Sequence, residues 1–232
     1  MHHKHDDATR ILTTDDVLLS LCNSVTKVLT SAAHNNIRFS GMVQRIKKAG
    51  LKPDIGSFVL FDGGFSGLVV INFSAAAAME LYQDYMKSMG FPQEELAISY
   101  TSDEVGNVMG ELMNQIVGRF SKKVGRDLQT HISQSQPKML ALNMPIFLSI
   151  DTNLDNPEMR RVTFFTEKNN IFYMELAMDR TEFIKIHDGA MLEEVDPDEL
   201  IAQAREQRAE QGAAAVPVES GEHDALLSSL GI

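Results

Sequence analysis

Between Thr14 and Ala33 the apolar residues Val17, Leu18, Leu21, Val25, Val28 and Leu29 return every three or four positions. That period gathers them on one side of a helix, behind Thr13 or Thr14 as its N-cap. The period then shortens. Met42 to Ile46, Phe58 to Phe61 and Leu68 to Phe73 read as three strands of a meander, the last two joined by the glycine-rich turn Gly63 to Gly67. Ser74 caps a second helix through about Met89, which Gly90 stops. A third helix starts near Ser102 or Asp103 and runs to Val124, with Gly125 as its stop. Four further strands are expected at Leu128 to Ser133, Pro145 to Ile150, Arg161 to Glu167 and Ile171 to Ala177, and Lys168-Asn169-Asn170 turns the last hairpin. The order is a helix, strands, two helices, then strands.

After Pro197 the pattern changes character. Asp198 to Gln211 is a charged helix candidate, and Gly212 to Asp224 is small, polar and acidic like a flexible linker. The last nine residues, DALLSSLGI, hold Leu226, Leu227, Leu230 and Ile232 at spacings that line one side of a short helix, which such a peptide cannot bury by itself. Most of the formal charge of −11 belongs to this tail, because residues 189–232 hold ten acids against two arginines. An acidic chain lacks the basic surface that non-specific nucleic-acid binding needs.

The single cysteine, Cys22, excludes an intrachain disulfide and a zinc site built on several thiolates, and it points to the cytoplasm. The start, MHHKHDDATR, has no apolar signal-peptide core, and the longest apolar run, near Gly67 to Met79, is too short to span a bilayer. A soluble intracellular protein that does not engage membranes is expected. His2, His3 and His5 read as a polar end or a cloning remnant rather than a metal site. The glycines of Asp62 to Gly67 lead into a strand and lack the phosphate-loop lysine, so they are turn glycines. No nucleophilic triad emerges.

The third helix carries the chemistry. Stepping about 100° per residue, Val105, Met109, Leu112, Ile116 and Phe120 fall within roughly 80° of arc and form a core face. Asn107, Glu111, Asn114 and Gly118 gather on the far side. Gly106, Gly110 and Gly118 each cost a helix interior about 1 kcal/mol relative to alanine, which suggests that something exploits the close approach they allow. An asparagine amide cannot act as a general base, but it can hold a water in line with an electrophile, and a carboxylate beside it can anchor a cationic partner.

This segment resembles the signature of the CheC, CheX and FliY phosphatases of chemotaxis: an Asp or Ser, three residues, Glu, two residues, Asn, about twenty-two residues, then Pro. Glu111 and Asn114 match the central pair, Pro137 follows at the family's distance, and Gly118 matches the small residue that commonly follows. Asn107 departs from the favoured Asp or Ser but stays short and polar. The order of elements from about Val17 to Asp179 also fits the family domain. In the first helix Asp16 and Asn23 stand at the outer positions of a second copy, but Ser20 replaces its Glu and no proline follows. One intact copy makes the domain similar to CheX.

The resemblance implies a mixed α/β (α+β) domain over residues 14–190, with an antiparallel-rich sheet and long helices. It would follow a flexible N-terminus at 1–13 and precede an acidic helix and linker at 191–223 and a docking peptide at 224–232. It implies a phosphatase acting on the aspartyl phosphate of a CheY-like response regulator. Asn114 would orient the water, Glu111 would pair with the receiver lysine, and Pro137 would help position the domain around the helix. No intrinsic cofactor is expected, since Mg²⁺ comes with the receiver and no oxygen-ligand cluster for it stands out here. The tail resembles the C-terminal CheY-docking peptide of CheZ, with Asp224, Leu226, Leu227, Ser229, Leu230 and Gly231 matching and Ile232 in place of an aromatic end. A non-catalytic module binding a response regulator or flagellar switch is the alternative, and a homodimer like that of CheX is compatible with the pattern.

Overall fold

The structure, a computed structural model, describes residues 11–147 and 157–184. Strand β1 (Ile11–Thr13) leads into α1 (Thr14–Ala33), followed by β2 (Arg38–Arg45), β3 (Gly50–Leu51), β4 (Ile55–Gly63) and β5 (Gly67–Phe73). Helices α2 (Ala75–Ser88) and α3 (Asp103–Leu128) come next, then β6 (Ile132–Gln134), β7 (Lys138–Ala141), β8 (Ile146–Phe147), β9 (Pro157–Phe165), β10 (Ile171–Asp179) and β11 (Glu182–Ile184). The chain divides into two compact units, Met1–Ile186 and His187–Ile232, and the described residues all belong to the first. The expected acidic helix, linker and docking peptide, the N-terminal histidines, and the part of the expected strand beyond Phe147 lie outside the described residues. Residues Ile11–Thr13, assigned from the sequence to a flexible N-terminus, instead pair antiparallel with β11.

The main sheet is antiparallel throughout, in the order β2-β9-β10-β5-β4-β6, with β7 also on β4. This corrects the expected three-strand meander: β4 and β5 form a hairpin, but β2 stands at the far edge beside β9. The reason lies in a row of phenylalanines. Phe39, Phe164, Phe172 and Phe73 are successive cross-strand partners on β2, β9, β10 and β5. Their rings lie 5.0 to 5.6 Å apart along the row. Aromatic cross-strand pairs of this kind fix register, and this one draws the last hairpin between β2 and β5.

All three helices contribute to one core with the inward residues of the sheet, among them Val59, Val69, Ile71, Phe164, Phe172 and Met174. On the other face β3 and β8 form a short ribbon, with Ala49 and Leu51 over Leu68, Val70 and Ala177. Two buried carboxylates are paired rather than stranded. Glu175 meets Lys52 at 3.2 Å and Arg161 at 2.8 Å. Glu80 accepts from Thr166 Oγ1 (2.6 Å), Asn170 Nδ2 (2.7 Å), Asn35 Nδ2 (2.8 Å) and the Lys168 amide (3.2 Å), which ties the end of α1 and α2 to the β9–β10 turn.

Helix boundaries follow capping chemistry. The Ser74 and Ser102 hydroxyls accept from the Ala77 and Val105 amides at the starts of α2 and α3. Gly125, expected to stop α3, lies inside it, and the helix ends at Gln129 in the left-handed region (φ 51°). The glycine is needed for proximity instead. The chain turns back so that the Thr130 amide donates to the Gly125 carbonyl at 2.9 Å, and a Cβ at position 125 would meet Thr130 O at 2.8 Å. The helix therefore takes up Leu128, and the expected strand there begins only at Ile132.

Candidate functional site

Helix α3 presents two faces. Val105, Met109, Leu112, Ile116 and Phe120 are all buried, as their spacing requires, while Asn107, Glu111 and Asn114 are exposed and Gly118 is half-buried. Phe120 locks the helix onto β4 through an edge-on contact with Phe61 at 5.5 Å. Burying one face this firmly fixes the direction in which the other points.

The expected pair therefore shares an outward face, although each residue has its own partner. Glu111 Oε1 accepts from Gln115 Nε2 one turn on, at 2.9 Å. Among the described residues it has no cationic partner. Asn114 Oδ1 accepts from Gln134 Nε2 at 3.3 Å, and Gln134 Oε1 in turn accepts from the buried Ser121 hydroxyl at 3.1 Å. Sequence reasoning missed Gln134 and Ser121. Ser121 lies seven residues after Asn114, two turns along the same helix, and was in principle legible. Gln134 reaches the site only through the turn that Gly125 permits, and no spacing rule announces it.

Asn107 and Pro137 share a groove of about 400 Å³ between the first half of α3 and β7, with Gly106, Gly110, Tyr100 and Met139 also in its wall. Pro137 occupies the break between β6 and β7, where the edge of β4 changes partner and the missing N–H leaves no bond unmade. Glu111 and Asn114 are not in this groove. The close approach expected over the helix glycines is not made within the described residues. A Cβ at Gly106 or Gly118 would meet nothing within 4 Å, and at Gly110 it would make ordinary contact with Met139 at 3.5 Å.

The positions of the expected second copy on α1 look different. Asp16 Oδ2 accepts from the Thr13 amide (2.8 Å) and hydroxyl (2.9 Å), so it serves as a helix cap. Ser20 gives its carbonyl to the Ser24 hydroxyl at 2.8 Å, and Asn23 is exposed. A second groove, of about 410 Å³, runs along α1 against β2 and β9 and holds Leu18, Leu19, Cys22, Phe39 and Val43, but neither Ser20 nor Asn23. Burial pushes the Cys22 thiol up to about 12, so it stays protonated and unreactive. No group of three or more metal-ligating side chains occurs among the described residues, and no helix among them is long and apolar enough to cross a membrane.

The sequence matches the family described as "Protein of unknown function (DUF3334)" over residues 8–232. Comparison with curated proteins gives no match. Solved structures of the same fold include a chemotaxis protein CheX from Desulfovibrio desulfuricans, 15% identical, covering 71% of this chain and 99% of that one at a TM-score of 0.56. A CheC-like superfamily protein from Shewanella sp. PV-4 is 17% identical over 71% and 97% of the two chains, with a TM-score of 0.56. The CheX of a CheX–CheY–BeF3–Mg²⁺ complex from Borrelia burgdorferi is 16% identical over 71% and 99%, with a TM-score of 0.54. The three-helix, mostly antiparallel architecture is thus that of the CheX and CheC-like proteins.

Proposed function

The chain belongs to the DUF3334 family and has a CheX/CheC-like fold, and from this premise we propose that it hydrolyses the aspartyl phosphate of a CheY-like response regulator. One observation carries the reading: the exposed Glu111 and Asn114 stand on one face of a helix whose opposite face is fully buried, and among the described residues nothing lies within 4 Å of where a Cβ on the neighbouring Gly118 would stand. An invading helix face that must pass close to another protein needs this combination of reactive side chains and missing ones. A CheX of the same fold has been solved bound to CheY with BeF3 and Mg²⁺, which supports a receiver as the partner class.

In the proposed reaction Asn114 holds a water in line with the phosphorus. The water oxygen bonds to phosphorus as the bond to the aspartyl oxygen breaks, and the carboxylate leaves as the receiver's free aspartate. Inorganic phosphate is the other product, and the water's protons pass to solvent and phosphate. Glu111 attracts the receiver's active-site lysine and so orders the two proteins. Mg²⁺ enters with the receiver. Most of the gain comes from positioning, since the phosphorus is already activated by its acyl bond. Asn107 and Pro137 shape the groove beside the pair.

The tail, DALLSSLGI, recruits the receiver through Asp224, Leu226, Leu227, Leu230 and Ile232. Covalent attachment of a docking peptide raises the receiver's local concentration to about the millimolar range. The cytoplasm, where response regulators work, is the compartment this function requires.

The test is phosphate release from a purified phosphorylated receiver, with and without the full chain. Acceleration that grows with protein concentration supports the phosphatase. Tight binding to a beryllofluoride-loaded receiver without acceleration would instead identify a binding module, for which Asn107 in the place of Asp or Ser is the favouring observation. Deleting Asp224 to Ile232 should raise the receiver concentration for half-maximal rate and spare the rate at saturation.

A further inference from the structure

Asn114 and Gln134 come from different elements, and Gln134 is held through both its backbone and its side chain. Its backbone is the register partner of the buried Phe61 on β4, and the next amide, that of Ser135, donates to Leu60 O at 2.8 Å. Phe61 packs edge-on against Phe120 of α3, so strand and helix keep a fixed separation. Within that frame the Ser121 hydroxyl donates to Gln134 Oε1 and Gln134 Nε2 donates to Asn114 Oδ1. The three groups form a one-way chain from a buried hydroxyl to the exposed amide.

We infer that Gln134 is a positioning residue for the reaction, fixing the amide of Asn114 so that its carbonyl oxygen, and not its NH2 group, lies where an attacking water is held. The inference rests on the proposed phosphatase reading. Its physical content is the asymmetry of an amide. The terminal torsion of asparagine is broad and nearly two-fold, so a free Asn114 would present oxygen and nitrogen about equally. Only the oxygen can accept a hydrogen bond from the water, which leaves the water's lone pair to face phosphorus. A carbonyl oxygen has two acceptor sites. Gln134 takes one, which leaves the other for water and the NH2 group free to donate to a phosphoryl oxygen. With the Ser121 hydroxyl donating to Gln134 Oε1, the glutamine nitrogen is the end that faces Asn114.

Two experiments separate this claim from the reading beneath it. In phosphorylated-receiver kinetics with the full chain, Gln134→Ala should lower kcat by about 10- to 100-fold, the range for a misplaced reacting group, while KM stays near the wild-type value. On an Asn114→Ala background the same change should have no further effect. Gln134→Glu cannot donate as an anion and should accept from the Asn114 NH2 group, turning the amide over. Its rate relative to wild type should therefore recover as the pH falls and the carboxyl becomes a donor, which a merely structural side chain would not produce. Ser121→Ala should give a weaker version of the Gln134→Ala loss, and it serves if that variant fails to fold.

The second measurement needs no receiver. In ¹⁵N-labelled protein the Asn114 side-chain amide should be ordered in the wild type and mobile in Gln134→Ala. Equal order in the two, or a Gln134→Ala rate equal to wild type, overturns the clamp. A wild-type protein that releases no phosphate but shows the difference in order overturns the phosphatase reading and leaves the clamp standing.

Discussion

Helices α1 and α3 lie against each other in one layer, and both bury a row of large apolar residues in the same core. Their outer faces differ. On α1 the polar groups are used within the domain: Asp16 caps the first turn, the carbonyl of Ser20 takes the Ser24 hydroxyl, and Asp15 faces Arg160 of β9 at 3.9 Å. On α3 Glu111 likewise pairs within its helix, with Gln115, but Asn114 is bonded from a neighbouring strand by Gln134. No glycine interrupts α1, whereas α3 carries Gly106 and Gly118 with no described residue within 4 Å of where a Cβ would stand. A polar face that stabilises its own helix is explained by folding. One that weakens its helix with glycines, with an amide bonded from a neighbouring strand, is what the proposed partner would require.

The comparison predicts that the inward faces are equivalent and the outward ones are not. Truncation of Leu112 or Ile116 on α3, and of Leu21 on α1, should each destabilise the protein by about 2 to 5 kcal/mol, since all three are buried. Urea midpoints measure this, and an unchanged midpoint for Leu112→Ala would mean that α3 is turned the other way.

A smaller effect concerns the anchor at the end of α1. Burial pushes the Glu80 carboxyl up, but the donors Thr166, Asn35, Asn170 and the Lys168 amide outweigh it and hold it below the usual carboxylate range. A folded pKa below the unfolded one of about 4.3 gives stability that is present above that value and lost as the pH falls through the folded pKa. Glu80→Gln should therefore cost about 1 to 3 kcal/mol at pH 7, the penalty for donors left badly paired. The gap from wild type should narrow in acid. Denaturation at pH 7 and pH 3 checks both halves.

The smallest expected change is the most discriminating. Gly118→Ala should stabilise the fold by up to about 1 kcal/mol, because the new methyl meets no described residue within 4 Å and the helix gains propensity. The same methyl should obstruct a docked receiver and raise the concentration for half-maximal rate. Gly125→Ala should do the reverse to stability, because its Cβ would press on Thr130 O at 2.8 Å. Calorimetry of both variants with receiver titration of the first separates a glycine kept for a partner from one kept for the fold.

Local rules read much of this molecule correctly. The bounds of α1, the Ser74 and Ser102 caps, the buried row of α3 and the outward placement of Glu111 and Asn114 all follow from period and capping chemistry. What was not legible depends on pairing across long separations. Nothing in Met42 to Ile46 says that β2 will sit beside β9, since that choice is made by the phenylalanine row on four strands distant in sequence. Gly125 reads as a stop because glycine often follows helices. Its actual use, admitting the Thr130 backbone, exists only once the chain has turned back. Gln134 is hidden for the same reason, although it is the neighbour that bonds Asn114.

The central claim is that the outer face of α3 works on a partner and that of α1 does not. Phosphate release from a phosphorylated CheY-like receiver, measured with Asn114→Ala and Asn23→Ala side by side, tests it most directly, because both residues are exposed asparagines on neighbouring helices and neither supports the core. Asn114→Ala should abolish the acceleration with an unchanged urea midpoint, and Asn23→Ala should match wild type in both respects. Wild-type rates from Asn114→Ala, or equal losses from the two variants, would contradict the account.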